Sequence, residues 1–181
     1  MDSPREIRDG EEFALETLKI YLSENNINAD DLSIKQFPSG YSNLTYFLKS
    51  SSEEFVLRRP PFGAKSLQGG HDMFREYNVL KNLKSQFLKV PDVYLYCDNS
   101  EIIGAPFYLM ERVEGYIIRP NLQQKDSPGK EVIQNVSKSL VSTLVELHNV
   151  DIDQANLNEL GNINGYVCLL YTSPSPRDFA I

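Results

Sequence analysis

The chain has 181 residues, 41% hydrophobic and 24% charged, the balance of a soluble globular protein with room for one domain or part of a larger one. With 18 Lys and Arg against 25 Asp and Glu its formal charge is −7, which excludes a general nucleic-acid binder, because neutralising a phosphate backbone needs a basic face. Two cysteines without Cys-x-x-Cys or zinc-ligand spacing exclude a disulfide framework and a zinc site.

Residues 11–25 predict an amphipathic helix. Phe13, Ala14, Leu18, Tyr21 and Leu22 recur at helical spacing, with Glu11, Glu12, Glu16 and Lys19 between them, and Asn25-Asn26 ends it. Leu32 to Phe37 alternates apolar and polar residues, a strand broken by Pro38-Ser39-Gly40. Leu44 to Lys49 is a second strand, Ser50 to Ser52 a turn, and Glu54 to Arg59 a third strand stopped by Pro60-Pro61. Three short strands with tight turns predict an antiparallel meander. Pro60 to Gly70 is a loop. His71 to Lys84 is helical, with Phe74, Tyr77, Val79, Leu80 and Leu83 at spacings near 3.6. Val90 to Tyr96 and Phe107 to Val113 predict two more strands, with Asp98-Asn99-Ser100 as a hairpin-type turn. Asn121 to Gly129 is polar and loop-like. Lys130 to Asn149 is a long helix carrying Val132, Ile133, Val136, Leu140, Leu144 and Leu147 on one face. No apolar run approaches the roughly 20 residues of a membrane span, and the charged N-terminus lacks a secretory apolar region. The expected compartment is the cytoplasm.

Two features point to chemistry. Pro38 to Thr45 joins two strands with one glycine and several small polar residues, a turn able to fold over phosphates and offer backbone N–H donors. It is neither a Walker A loop nor G-x-G-x-x-G, and on its residues alone an ordinary hairpin fits it better. In the third strand, Val56-Leu57-Arg58 places a cation after two apolar residues, as protein kinases place the lysine that holds nucleotide phosphates, and Glu76 follows inside the next helix. Arginine offers a forked set of donors suited to phosphate or carboxylate. The pair fits equally a surface arginine and a surface glutamate on separate elements. Arg59 faces the other way, solvated or packed on the loop.

Several runs resemble the aminoglycoside phosphotransferase and choline kinase type of small-molecule kinase. Ser39 to Tyr46 is similar to its G-x-S-N-x-T-Y loop, and Phe55 to Pro61 to its V-L-R-R-P-P strand end. Phe107 to Gly115 resembles the hinge F-Y-x-M-E-x-V-x-G, Leu147 to Asp151 the L-H-x-V-D closing the long helix, and Gly161 to Val167 a following G-x-x-x-G-Y-V. The matches run in order over about residues 12–167. The most similar subgroup is the kinase-like domain fused to, or encoded beside, acyl-CoA dehydrogenases.

The resemblance implies an α+β, protein-kinase-like fold: an N-lobe with a five-stranded antiparallel sheet and a helix, then the first helical part of a truncated C-lobe. Residues 1–30 form an N-terminal helical segment, 31–113 the N-lobe with its hinge at 110–115, and 114–167 the start of the C-lobe. It further implies phosphoryl transfer from ATP to a hydroxyl of a small molecule, with Mg2+ in the full-length parent and an association with an acyl-CoA dehydrogenase. Ser39, Gly40, Tyr41, Ser42 and Asn43 then lie over the phosphates, Arg58 contacts phosphate with Glu76 as its partner, Met110 sits against the base, and the backbone of Glu111 to Val113 binds adenine.

Such kinases carry H-G-D and a later magnesium-binding Asp. Here His71 precedes Asp72-Met73 and His148 precedes Asn149-Val150, so no catalytic base and no metal ligand is assigned. Asp151-Ile152-Asp153 reads as a cap or turn. Residues 168–181, from Cys168 onward, resemble a translated transposase-type sequencing adapter and are expected to be a non-native tail. The chain as it stands is then the catalytically incompetent front half of a kinase. The alternative is a nucleotide-binding pseudokinase or a regulatory interaction module.

Overall fold

Two short runs rich in aromatic and branched residues, Leu44–Lys49 and Glu54–Arg59, flank a serine turn and favour a pair of strands, and the computed structural model, which describes residues 3–38, 42–63, 71–116 and 128–161, pairs them within a larger sheet. Its elements are α1 (Leu15–Glu24), β1 (Ser33–Gln36), β2 (Leu44–Lys49), β3 (Glu54–Arg59), α2 (Met73–Leu83), β4 (Val93–Cys97), α3 (Ser100–Ile103), β5 (Phe107–Glu111) and α4 (Lys130–His148), with a 3-10 turn at Asn158–Leu160. The five strands form one sheet in the order β1-β2-β3-β5-β4. Every pairing is antiparallel. The expected α+β architecture and the meander of the first three strands are both present.

One face of the sheet is the main core. Leu44, Tyr46 and Leu48 of β2, Phe55 and Leu57 of β3, and Phe107 and Leu109 of β5 meet Leu18 and Leu22 of α1 and Ile103 of α3. Burying each such large side chain contributes roughly 1.5–3 kcal/mol, so α1 is held chiefly by its apolar stripe: its N-cap, Ala14, makes no side-chain cap bond, and only its C-terminal end is capped, by Asn25 donating to the Tyr21 carbonyl at 2.8 Å. Helix α2 lies against the opposite face. Asp72 caps it by accepting from the Arg75 N–H at 2.9 Å, and Phe74 and Tyr77 both stack on Tyr96 of β4.

Local differences from the sequence expectation have local causes. The first helix starts at Leu15: Ala14 before it is extended, and the chain further upstream turns at Asp9-Gly10 after one bridge to β1. Arg5 bridges Gln36, whose carbonyl accepts from the Arg5 N–H at 2.8 Å. Buried Gln36 also accepts from the Arg8 N–H at 3.0 Å and donates to the Glu11 carboxylate. Strand β4 begins only after Pro91, which has no N–H to give a ladder. The hairpin-type turn at Asp98-Asn99-Ser100 is instead a helix start. Asn99 accepts from the Glu101 N–H at 2.9 Å, and Gly104 closes the short α3 at φ +83°, a left-handed conformation that favours glycine. Strand β5 ends at Glu111, whose N–H is donated to the Asp92 carbonyl at 2.8 Å.

Helix α4 has the expected extent, and none of its residues is buried. Its apolar side chains, Leu140, Leu144 and Leu147 among them, stay between 37% and 61% exposed. It is tied to the rest by Lys89, which bonds Glu146 at 2.6 Å and Thr143 at 3.3 Å. The segment after it returns to α2, where Arg75 donates to the Leu160 carbonyl at 2.8 Å and Asn82 to that of Asn156 at 3.2 Å. Residues 168–181 and most of the Gly161 to Val167 run lie outside the described residues.

Consecutive arginines end β3 on opposite faces. Arg59 is 1% exposed, packed on the loop and not solvated. It donates to the Pro60 carbonyl at 3.1 Å and the Ile103 carbonyl at 2.6 Å, and its guanidinium sits 3.7 Å over the Phe62 ring. Burial lowers its pKa from the usual arginine value, with Tyr46 and Glu11 opposing the shift. Arg59→Ala orphans two carbonyls and leaves a hole, so it is expected to cost about 2–4 kcal/mol in denaturant unfolding. Arg58→Ala, on the half-open face, is expected to cost less than about 1 kcal/mol.

Candidate nucleotide site

The register places Thr45, Arg58, Tyr108 and Tyr96 in one row across β2, β3, β5 and β4. Side chains directly opposite on one face of an antiparallel pair are neighbours, so Arg58 and Tyr108 share the face covered by α2. Two residues along, Val56 pairs with Met110 on that same face. From the helix, Glu76 reaches into this row. Tyr108 donates to its Oε2 at 3.0 Å, Asn43 donates through Nδ2 to its Oε1 at 2.8 Å, and Arg58 Nη2 donates to Oε1 at 3.4 Å. Arg58 Nε stands 3.3 Å from Oε2 within ion-pair distance. Its N–H is not aligned for a hydrogen bond, however. Among the described residues it is the buried side-chain polar atom that has no hydrogen-bond partner. The ion-pair distance and the unaligned N–H together describe a charge attraction at Nε without a formed hydrogen bond. Behind Asn43, its Oδ1 lies 2.6 Å from His71 Nδ1.

A cleft of about 470 Å³ opens beside this cluster. Arg58, Glu76 and Tyr108 form its polar wall, Val79, Leu80, Pro91 and Met110 its apolar one, and Asp72 and Arg75 its rim. Mostly apolar concavity with a few convergent polar groups is the usual form of a small-molecule site.

Of the residues expected from sequence, Asn43, Arg58 and Glu76 meet in one network, and Met110 lines the cleft with Arg58 and Glu76. Ser42 is exposed at the start of the second strand. Ser39, Gly40 and Tyr41 lie outside the described residues. Glu111 and Val113 follow Met110 at the end of β5. The Glu111 carboxylate turns toward β4, accepting from the Asp92 N–H at 3.0 Å, and Val113 is 67% exposed. Between them Arg112 stacks 4.4 Å over the Phe47 ring and pairs with Glu54 and, at 3.5 Å, with Glu114. The hydrogen bond from Lys49 holds the Glu54 carboxyl below the usual carboxylate range, with Arg112 adding to it. Lys49, Glu54, Arg112 and Glu114 thus form one chain of ion pairs beside the end of β5.

Tyr108 and His71 were not among the expected site residues. Tyr108 could have been found, since it sits two positions before Met110 and so shares its strand face. His71 carries no such signal, because its meeting with Asn43 depends on how α2 approaches the sheet.

The profile of the phosphotransferase enzyme family matches residues 33–167 of this chain. A rat protein named acyl-CoA dehydrogenase family member 11 is 37% identical over 166 residues, covering 89% of this chain and 21% of its own length. Its chicken counterpart is 35% identical over 138 residues, covering 76% of this chain and 17% of its own length. Mouse acyl-CoA dehydrogenase family member 10 is 33% identical over 137 residues, 75% of this chain and 12% of its own. The chain thus spans about a fifth or less of the curated relatives it matches. Among solved structures, a protein from Ralstonia eutropha JMP134 assigned as an aminoglycoside phosphotransferase superposes with a TM-score of 0.66 at 26% identity, over 83% of this chain and 43% of that one.

Burial pushes the Tyr108 phenol well above its ordinary pKa, with the Glu76 carboxylate adding to the shift and Arg58 opposing it. A group whose folded pKa is raised contributes stability that is present below its unfolded value, near 10 for tyrosine, and lost as pH rises through the folded one. Stability is therefore expected to fall in alkaline solution. Tyr108→Phe should flatten that fall while costing about 1 kcal/mol near neutrality, measured by denaturant unfolding on both sides of pH ~10.

Proposed function

The chain belongs to the phosphotransferase enzyme family, and on that premise we propose that it is the nucleotide-binding front part of an ATP-dependent kinase acting on a small-molecule hydroxyl. The observation that carries this reading is the Arg58–Glu76 pair at 3.3 Å, set beside a cleft that Met110 lines. Arg58 presents fixed donors to the phosphates, and Glu76 keeps its side chain from swinging away. Met110 packs against the base, and the backbone from Glu111 to Val113 offers the adenine its hydrogen-bond partners. Backbone N–H groups of Ser39, Gly40, Tyr41 and Ser42 cover the phosphates.

Mg2+, when bound with ATP, neutralises charge developing on the transferred phosphoryl group. Among the described residues no group of three His, Cys, Asp or Glu side chains gathers to hold a metal ion. In this proposal the metal ligands and the catalytic base belong to the remainder of a longer parent, a reading the greater length of the relatives supports, and this chain alone binds without turning over. The names of the relatives support a parent in which the kinase part is fused to, or works beside, an acyl-CoA dehydrogenase. No helix among the described residues is long and apolar enough to cross a membrane, and a cytoplasmic site of action is part of the same proposal. The rival reading, a module that binds nucleotide only to regulate, is separated by assaying the parent for phosphate transfer.

Titration calorimetry with ATP tests the binding half directly. The chain is expected to bind, Arg58→Ala to lose tenfold or more in affinity at about 1.5–3 kcal/mol for a charged hydrogen bond, and Arg58→Lys to recover part of it. Binding indifferent to Arg58→Ala would make the Arg58–Glu76 pair incidental and sink the proposal.

A further inference from the structure

We infer that Asn43 and His71 are positioning residues that act on the nucleotide site through Glu76, and that the Asn43 side chain does not itself touch the phosphates. The inference rests on the nucleotide-binding reading above and revises the place of Asn43 within it. Chemistry fixes the direction of the relay. A carboxylate only accepts, so the amide atom 2.8 Å from Glu76 Oε1 is Nδ2. The remaining amide atom, Oδ1, also only accepts, so His71 Nδ1, 2.6 Å away, carries the proton. Asn43 is 5% exposed and each end of its amide is bonded inside the protein, so the side chain is turned away from a ligand in the cleft.

The relay joins two segments that the sequence keeps apart. Asn43 immediately precedes β2, and His71 precedes Asp72, the N-cap of α2. Fixing Asn43 to both His71 and Glu76 sets the start of the helix against the start of the strand. It also decides how Glu76 divides its acceptors. Asn43 and Tyr108 bond it at 2.8 and 3.0 Å, whereas Arg58 is held at 3.4 Å through Nη2 and 3.3 Å through Nε, with the Nε–H unpartnered and buried. Neutral donors thus occupy the carboxylate and keep Arg58 attracted but not saturated. Without Asn43, Oε1 is open to Arg58, the pair closes, and the guanidinium is drawn away from an incoming anion.

Two measurements decide the matter. The first is a double-mutant cycle read by ATP affinity. Asn43→Ala should weaken binding about tenfold alone and less than about twofold in a Glu76→Ala background, because residues acting through one partner are not additive. His71→Ala should follow Asn43→Ala, and His71→Gln, which keeps a donor, should restore affinity. Equal losses with and without Glu76 would mean that Asn43 meets the nucleotide itself, and the inference falls. The second needs no ligand and no change at the site. Long-range 1H–15N NMR of the unmutated chain should show neutral His71 as the Nδ1–H tautomer. With only His71 and His148 present, His148→Gln assigns the signals. An Nε2–H tautomer overturns the relay. A chain that binds no ATP defeats the nucleotide reading, and the tautomer still tests the relay separately.

Discussion

One carboxylate organises the cluster on the α2 face. Glu76 is the point at which the start of β2, the end of β3, the start of β5 and helix α2 meet, through Asn43, Arg58 and Tyr108. A half-exposed carboxylate would ordinarily keep its water. Here three side chains replace that water with donors, and the exchange is favourable only because each is already held by its own element. Arg58 and Tyr108 are fixed by the sheet ladder, directly opposite each other in register. Asn43 is fixed by His71. The carboxylate therefore reports the relative placement of four elements, and a shift in any of them loosens the arginine that faces the cleft.

The alternation of the sheet separates this polar cluster from the core that supports it. Leu57 is wholly buried between α1 and the sheet, while its neighbour Arg58 looks the other way. Arg59, returning to the core side, is a buried cation bonded, among the described residues, to two carbonyls and an aromatic face and to no carboxylate. One carbonyl belongs to Ile103 at the end of α3, where the helix dipole favours a cation. So the two arginines differ in kind. The buried one is structural and bound to fixed partners, and the other is left with a donor unused.

Much of this was legible in the sequence, for identifiable reasons. β2, β3 and α4 were read at or within a residue of their limits, because the two strands are short aromatic and branched runs set off by Ser50–Ser52 and Pro60, and α4 has a 3.6-residue period opened at the Gly129–Lys130 boundary. The short α3 was misread, since Asn99 followed by Ser100 serves a turn and a helix cap equally well, and the choice falls to Gly104 five residues on. The start of α1 was placed early because Glu11 and Phe13 fit a helical face, while the Glu11 carboxylate is instead engaged by Gln36 and Arg8 and Ala14 is extended. At the site, Arg58 and Glu76 carried a spacing signal. Tyr108 needed the cross-strand register, and the turning-in of Asn43 needed His71, which approaches from a different segment.

The energetic layout suits a site built on the sheet. The hydrophobic cluster is made by α1, the sheet and α3, and includes no residue of α4. That helix instead meets the rest through polar contacts at Lys89, exposed ones worth little each, and keeps a row of half-exposed apolar side chains. Opening of α4 therefore costs little apolar burial and none of the Glu76 bonds. Local unfolding follows where apolar contacts are few, so the Arg58–Glu76–Tyr108 cluster belongs to the stable unit and α4 to the labile one. The cleft is lined from α2, β3, β5 and Pro91 and by no residue of α4, so a wall anchored by strand register keeps its geometry whatever that helix does.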